Sequence, residues 1–321
     1  MKRFQALLGC AIVMLFVPNL VFGQQATVVE KPDFSLSIGG RAWYSSGKSD
    51  WNMGGIGGVP ALISDLRWDD VDSIVAEFTA DALFLKEYIL TIDGGFGAIS
   101  DGTLTDEDFF GTRSALFSQS ISTADDDNMW FVSVMLGTRV LNWNVRDEKP
   151  RSYLALMIGY QHWTETYVAT KGVQTINTVG PFLGPFPDQG KAITEDFTWD
   201  SLLVGVRTEI EILPDFAFKG RFMAVPYTHF TMEDIHHLRT DLKQDPSFEA
   251  TADGGIGVIL DATLSYNFWG GFSIEAGYQY WDISSGEGTI TANALLFSVD
   301  QVFNEANSTR HGAIAGISYS F

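Results

Sequence analysis

The chain has one cysteine, Cys10, among 321 residues, so no intramolecular disulfide can hold its fold together. Beyond the first two dozen residues it has no run of 18 or more apolar residues, which excludes a transmembrane helix. Basic residues are scarce. Twenty Lys and Arg stand against 40 Asp and Glu for a net charge of −20, which argues strongly against nucleic acid as a partner. Aromatics, by contrast, are plentiful: 24 Phe, 10 Tyr and 9 Trp are far too many for a solvated coil. With 32 Gly and a mean hydropathy of +0.06, the composition fits a membrane barrel whose lipid-facing and lumen-facing residues cancel on averaging.

The N-terminus points to export. Met1-Lys2-Arg3 is a short basic start, Ala6 to Phe22 is apolar, and Val21-Phe22-Gly23 offers a cleavage site before Gln24. Residues 1–23 therefore read as a signal peptide and residues 24–321 as the barrel. A lipoprotein signal at Leu7-Leu8-Gly9-Cys10 is disfavoured, because the apolar run continues past Cys10.

Period-two patterning predicts strands. Ile74, Ala76, Phe78, Ala80, Ala82 and Phe84 alternate with Ser73, Glu77, Thr79 and Asp81, and Phe272 to Tyr280 and Ala313 to Phe321 do the same. Short links near Leu85-Lys86-Glu87, Arg146–Arg151, Leu213-Pro214-Asp215 and Asn267–Gly271 alternate with long ones at 47–60, 100–127, 170–191, 230–251 and 284–308. Nine connections predict an all-β transmembrane antiparallel barrel of ten strands, with long extracellular loops and short periplasmic turns. Trp43, Tyr44, Trp68, Trp130, Trp143, Trp163, Trp199, Trp269 and Trp281 fall near strand ends and read as interfacial girdles.

Two long links carry candidate chemistry. The second holds Asp106-Glu107-Asp108 and the fourth holds Glu233-Asp234-Ile235-His236-His237. In so acidic a chain each motif alone reads as readily as solvated loop charge. Their placement adds weight, since the two hairpins lie about half a circumference apart and face one another across a ten-stranded mouth. Residues two apart in an extended segment point the same way, pairing Asp106 with Asp108 and Asp234 with His236. Two carboxylates can hold a water, and an Asp-oriented His offers a base near neutral pH. Simple alternation from Phe216, Phe218 and Phe222 would turn Asp234 and His236 outwards. Their inward placement therefore requires a reset of register at Pro226, and a second at Asp101-Gly102 for Asp106.

At these residues the sequence resembles the omptin family of outer-membrane proteases. The similarity also takes in Ser46-Gly47-Lys48, Ser64-x-Leu66-x-Trp68, Leu156-Met157-x-Gly159-Tyr160-Gln161, and Asp215-Phe216 through Gly220 and Phe222. The resemblance implies a catalytic set of Asp106, Asp108, Asp234 and His236, with Asp234–His236 activating water that Asp106–Asp108 binds. Acidic residues that give omptins a basic pocket fall on Trp51 and Met232, so Asp50 and Glu233 next door are the expected substrate-binding residues. The family's lipopolysaccharide contacts fall on Tyr160, His162, Thr164 and Thr198; only Tyr160 matches, so lipopolysaccharide dependence is not expected. No cofactor is expected. His229, Glu233, Asp234, His236 and His237 lie close together but match no standard zinc spacing. The expected function is an outer-membrane endopeptidase acting on cationic peptides or exposed protein loops, partnered otherwise by outer-membrane lipid. The alternative is a non-catalytic barrel, either a narrow channel or a structural or adhesive protein.

Overall fold

A strand sends successive side chains to opposite faces, so an apolar–polar alternation is satisfied only where one face meets lipid or a core and the other does not. The computed structural model carries this through the chain; it describes residues 34–111, 115–125, 127–143 and 152–321. The leader and the turn expected at Arg146–Arg151 lie outside the described residues. The strands are β1 (Phe34–Met53), β2 (Ser64–Phe84), β3 (Tyr88–Phe110), β4 (Ala115–Ala124), β5 (Asp127–Trp143), β6 (Ser152–Asn177), β7 (Gly184–Pro185), β8 (Lys191–Leu213), β9 (Phe216–His236), β10 (Phe248–Asp253), β11 (Ile256–Trp269), β12 (Phe272–Ser284), β13 (Gly288–Asn293) and β14 (Ser298–Ser320).

Ten of them close an antiparallel ring in the order β1, β2, β3, β5, β6, β8, β9, β11, β12, β14, with Ser37 opposite Ser320 at the seam back to β1. β4, β10 and β13 are not further staves. Each continues β5, β11 or β12 upward past a short break, pairing with the same neighbours. At the opposite end the turns are tight. Leu85 and Lys86, and Gly270 and Gly271, are consecutive left-handed pairs (φ 52° and 65°; 50° and 93°), the geometry that matches hairpin twist.

Outward Ile38, Ile74, Phe78, Ile92, Phe96, Val134, Ile158, Val204, Leu264 and Ile317 form a lipid-facing belt over the turn-proximal part of the ring. Above it the sheet continues into water, and this corrects the expected loops. Residues 101–110, 115–124, 230–236 and 248–253 are strand. They read as loops because a wall wet on its outer face loses the apolar outward register, as in outward Asp65 and Arg67 beside inward Leu66 and Trp68.

The tryptophans are corrected too. Trp43, Trp68, Trp163, Trp199 and Trp281 point inward and are buried, whereas Trp130 and Trp269 face out. Strand ends lie well above the bilayer here, so proximity to an end did not mean proximity to the interface. The inward rings fill the lumen: Trp281 packs on Trp43 at 5.1 Å, Phe131 at 4.8 Å and Trp163 at 5.2 Å, and Trp199 on Phe230 at 4.4 Å. Below them lies a layer of ion pairs: Arg207–Asp81 and Arg221–Asp93 cross the lumen, while Arg41–Glu77 at 2.8 Å and Arg221–Asp261 at 2.6 Å join adjacent strands and Lys219–Glu275 at 2.5 Å spans one intervening strand. Above the Trp43, Trp163 and Trp281 rings Glu165 and Arg310, both fully buried, meet at 2.7 Å.

Candidate active site

Two bulges decide which residues reach the mouth. Leu202 pairs with Tyr227 and Val204 with Ala224, so two β9 residues, Val225 and Pro226, stand against one on β8. Below that point Met223 and Val225 face inward; above it Thr228, Phe230, Met232 and Asp234 do. Proline lacks an N–H and fits where the ladder is interrupted. On β3, Asp101 pairs with Asp72 but Ile99 with Ser73, leaving Ser100 extra, and Asp70 opposite takes a left-handed φ of 53°. Ile99 faces in below this point and Leu104 above it, so Asp106 and Asp108 share the inward face. The first reset falls at Pro226 as the sequence required, and the second at Ser100, one residue before the expected Asp101-Gly102.

The result is a cleft of about 550 Å³ above the aromatic layer, with Asp106 and Asp108 on the β3–β4 wall and His236 on the β9 wall. His236 Nε2 lies 3.0 Å from Asp234 Oδ2, and Asp234 is fully buried behind it. Among the described residues Nδ1 has no protein partner, which makes it the ring nitrogen available to the cleft. The ring is fixed edge-on against Phe248 at 5.3 Å, and the His236 N–H donates to Ser247 Oγ at 3.0 Å.

The electrostatics couple the two walls. Burial alone would lower the His236 pKa, but the charge and hydrogen bond of Asp234, with Asp106 and Glu195 behind them, raise it to about 9. Burial and then repulsion by Asp108 push the Asp106 carboxyl up to about 7, against the pull of His236. Burial raises Asp108 as well, against His236, Arg239 and hydrogen bonds from Ser64 and Ser118. These influences favour the imidazolium of His236 and oppose full ionisation of the Asp pair near neutral pH.

Asp50 and Glu233 are not in the cleft. Alternation places them on the outer wall, with Asp50 Oδ2 accepting from Asn307 Nδ2 at 2.8 Å, while Trp51 and Met232 take the inward positions. The expectation of an acidic substrate pocket from these two is corrected on that ground. Around Tyr160, on the outer face at the top of the belt, Tyr160 donates to Asp200, and His162 Nδ1 lies 2.7 Å from the same carboxylate. The acidic Asp126 lies outside the described residues.

Sequence reasoning missed Glu195. It is fully buried directly across the ladder from Asp234, and its two oxygens accept the indole N–H groups of Trp51 (2.5 Å) and Trp68. Burial and then Asp234 push its carboxyl up to about 8, against those two donors. The available signal was a lone acid in an inward stripe of Ile193, Phe197 and Trp199.

With this geometry described, comparison with known proteins places the chain. The fold is similar to that of the outer membrane protease OmpT from Escherichia coli, with a TM-score of 0.75, 14% identity, and 92% of this chain and 99% of that one covered. The transport unit of the autotransporter AIDA-I from Escherichia coli aligns over 98% of each chain with a TM-score of 0.28 and 12% identity. A TodX monoaromatic hydrocarbon channel variant aligns over 91% of each with a TM-score of 0.30 and 8% identity. No curated protein sequence matches. The Pom family model matches residues 41–321, nearly the whole described barrel, and the chain belongs to this family of Protochlamydia outer membrane proteins.

Proposed function

We propose that this protein is an endopeptidase of the bacterial outer membrane, with its cleft facing outside the cell. The carrying observation is that Asp106 and Asp108 from one wall, and His236 backed by buried Asp234 from the other, line a single cleft. Water held between the Asp pair and His236 attacks the scissile carbonyl carbon. Its proton passes to His236 Nδ1, and Asp234 stabilises the imidazolium. The tetrahedral species then expels the amine, which takes that proton back from His236, leaving a carboxylic acid that ionises to solvent and an amine, with no covalent enzyme intermediate. The resemblance to omptins assigns the same roles to the same four residues.

The filled lumen supports this reading over a channel. An enzyme needs only the mouth, and the aromatic layer together with the crossing pairs Arg207–Asp81 and Arg221–Asp93 leaves no wide wet path through the described ring. A net charge of −20, with Asp245 and Glu249 exposed beside the cleft, gives the mouth a negative potential. That field steers cationic peptides inward, at an on-rate that falls as salt rises. The test is cleavage of a quenched peptide library by the refolded protein. The parent cuts, and Asp106→Ala and His236→Ala each lose about 10²–10⁴-fold in kcat/KM while the barrel still forms. Full activity in both variants overturns the proposal.

A further inference from the structure

Three of the four reactive residues line the cleft, Asp234 lying buried behind His236; serines and Gln174 line its β3–β4 side, and the rest of its wall is largely apolar. Trp51, Met53, Ile63, Ile193, Phe186 and Phe248 make the walls beside Asp106, Asp108 and His236. The Trp51 indole N–H is already given to Glu195 beneath it, so what Trp51 offers the cleft is ring carbon. Glu195 itself is sealed: it is fully buried, both its oxygens are taken by indole donors, and it does not line the cleft. Besides the reactive Asp106 and Asp108, the acid that lines the cleft is Asp188, an exposed residue on the loop after Phe186. Asp50 and Glu233 are turned to the outside, and the Asp188 carboxylate accepts from the Gly190 N–H of its own loop at 2.8 Å. Arg239 also lines the cleft, with its guanidinium held by the Asp241 carboxylate at 2.7 and 2.8 Å.

The aromatic wall is built into the fold. Phe186 N–H donates to Gly172 O at 2.8 Å, and β7 pairs with Val173 and Gln174 of β6. A Cβ at Gly172 would stand 2.3 Å from Phe186 Cδ2, so only glycine lets that ring lie against the sheet. Phe182 stacks on Phe186 at 6.5 Å and extends the wall outward.

We infer that the subsite beside the Asp106–His236 pair takes a large apolar or aromatic peptide side chain and rejects lysine and arginine. This rests on the endopeptidase reading. The acidic rim gathers cationic peptides at long range, and the apolar wall then chooses which residue sits next to the scissile bond. The two scales act separately, because steering by the rim is screened over about 8 Å at physiological salt whereas the subsite acts by contact.

The test uses the full-length refolded protein and a set of quenched peptides with a constant Lys-containing scaffold. Only one residue varies, among Phe, Leu, Ala, Lys and Arg, so steering is held constant. The expected result is a kcat/KM for Phe and Leu about ten- to a hundredfold above that for Lys and Arg. In Phe186→Ala the advantage of Phe over Ala should shrink by about tenfold. Equal rates, or faster cleavage beside Lys or Arg, overturns the inference. If no peptide is cut, the endopeptidase reading fails separately, and dissociation constants of the same peptides decide the subsite. Binding of the Phe peptide about tenfold tighter than the Lys peptide upholds it, and equal or Lys-favoured binding overturns it.

Discussion

Asp234→Asn isolates the group that sets the charge of His236. In the parent, burial would hold the imidazole below its ordinary 6.5, yet the adjacent Asp234 carboxylate carries it to about 9. A rise of about 2.5 units corresponds to about 3 kcal/mol of preference for the imidazolium. Asp234 is the largest of the raising influences, so the neutral amide should let His236 fall towards or below 6.5. The chain has five histidines, so ¹³C labelling of the imidazoles gives few enough signals for His236→Ala to assign the one that matters. The same shift shapes activity. Only about 1% of His236 is the free base at pH 7, so parent activity should climb about tenfold per pH unit and level off near pH 9. The sign for stability follows from a folded pKa lying above the unfolded one. The contribution of His236 is fully present below pH 6.5 and is lost as pH rises through about 9. A His236 signal titrating within half a unit of the same pH in parent and Asp234→Asn would refute the reasoning.

Asp106 has the same direction of linkage, because its folded carboxyl is likewise raised, from 3.8 to about 7, so stability is lost as pH rises across that interval and stays lost above it. Asp106→Asn should therefore raise the denaturant midpoint of the barrel at pH 8 more than at pH 4; an equal or smaller gain at pH 8 counts against it. Deleting Val225 removes the β9 bulge and turns Asp234 and His236 to the outer face, so peptidase activity should drop to background while the apolar belt still folds in detergent. Retained activity in that variant contradicts the register argument. Glu165→Ala leaves the buried Arg310 guanidinium without its carboxylate, and also removes the acceptor of the Ser49 and Ser308 hydroxyls. The cost should be about 3–5 kcal/mol in guanidinium unfolding, and a loss under about 1 kcal/mol would mean the pair does not hold the upper lumen.

What the sequence makes legible is whatever obeys a period. Within the belt, lipid on one face and the lumen on the other force alternation, so Ile74–Phe84 and Phe272–Tyr280 announce themselves, and the alternation of short and long links counts ten staves. Above the belt water replaces lipid on the outer face. There β4, β10 and the upper part of β9 lose the apolar half of the pattern and pass for loops. The tryptophans mislead for the same reason, since a strand end in this barrel is a solvent-level feature rather than a bilayer edge. Register at the site is readable only as a contradiction: Phe222 and Asp234 cannot both obey one alternation, and the break at Pro226 resolves it. Asp50 and Glu233 fail as pocket residues because nearness in sequence along a strand means the opposite face. Glu195 is decipherable only once its stripe is known to point inward, because its significance lies in a cross-strand neighbour 39 positions away by number (195 to 234).

The most direct test of the central claim is a double-mutant comparison across the mouth. kcat/KM is measured for the parent, Asp106→Ala, His236→Ala and the double variant on one cleavable peptide, with folding checked for each. If the two walls form one hydrolytic site, either single change costs about 10²–10⁴-fold and the double falls within about tenfold of the worse single. Full activity in either single variant, or losses that simply multiply in the double, would contradict a site built from Asp106–Asp108 on one side and Asp234–His236 on the other.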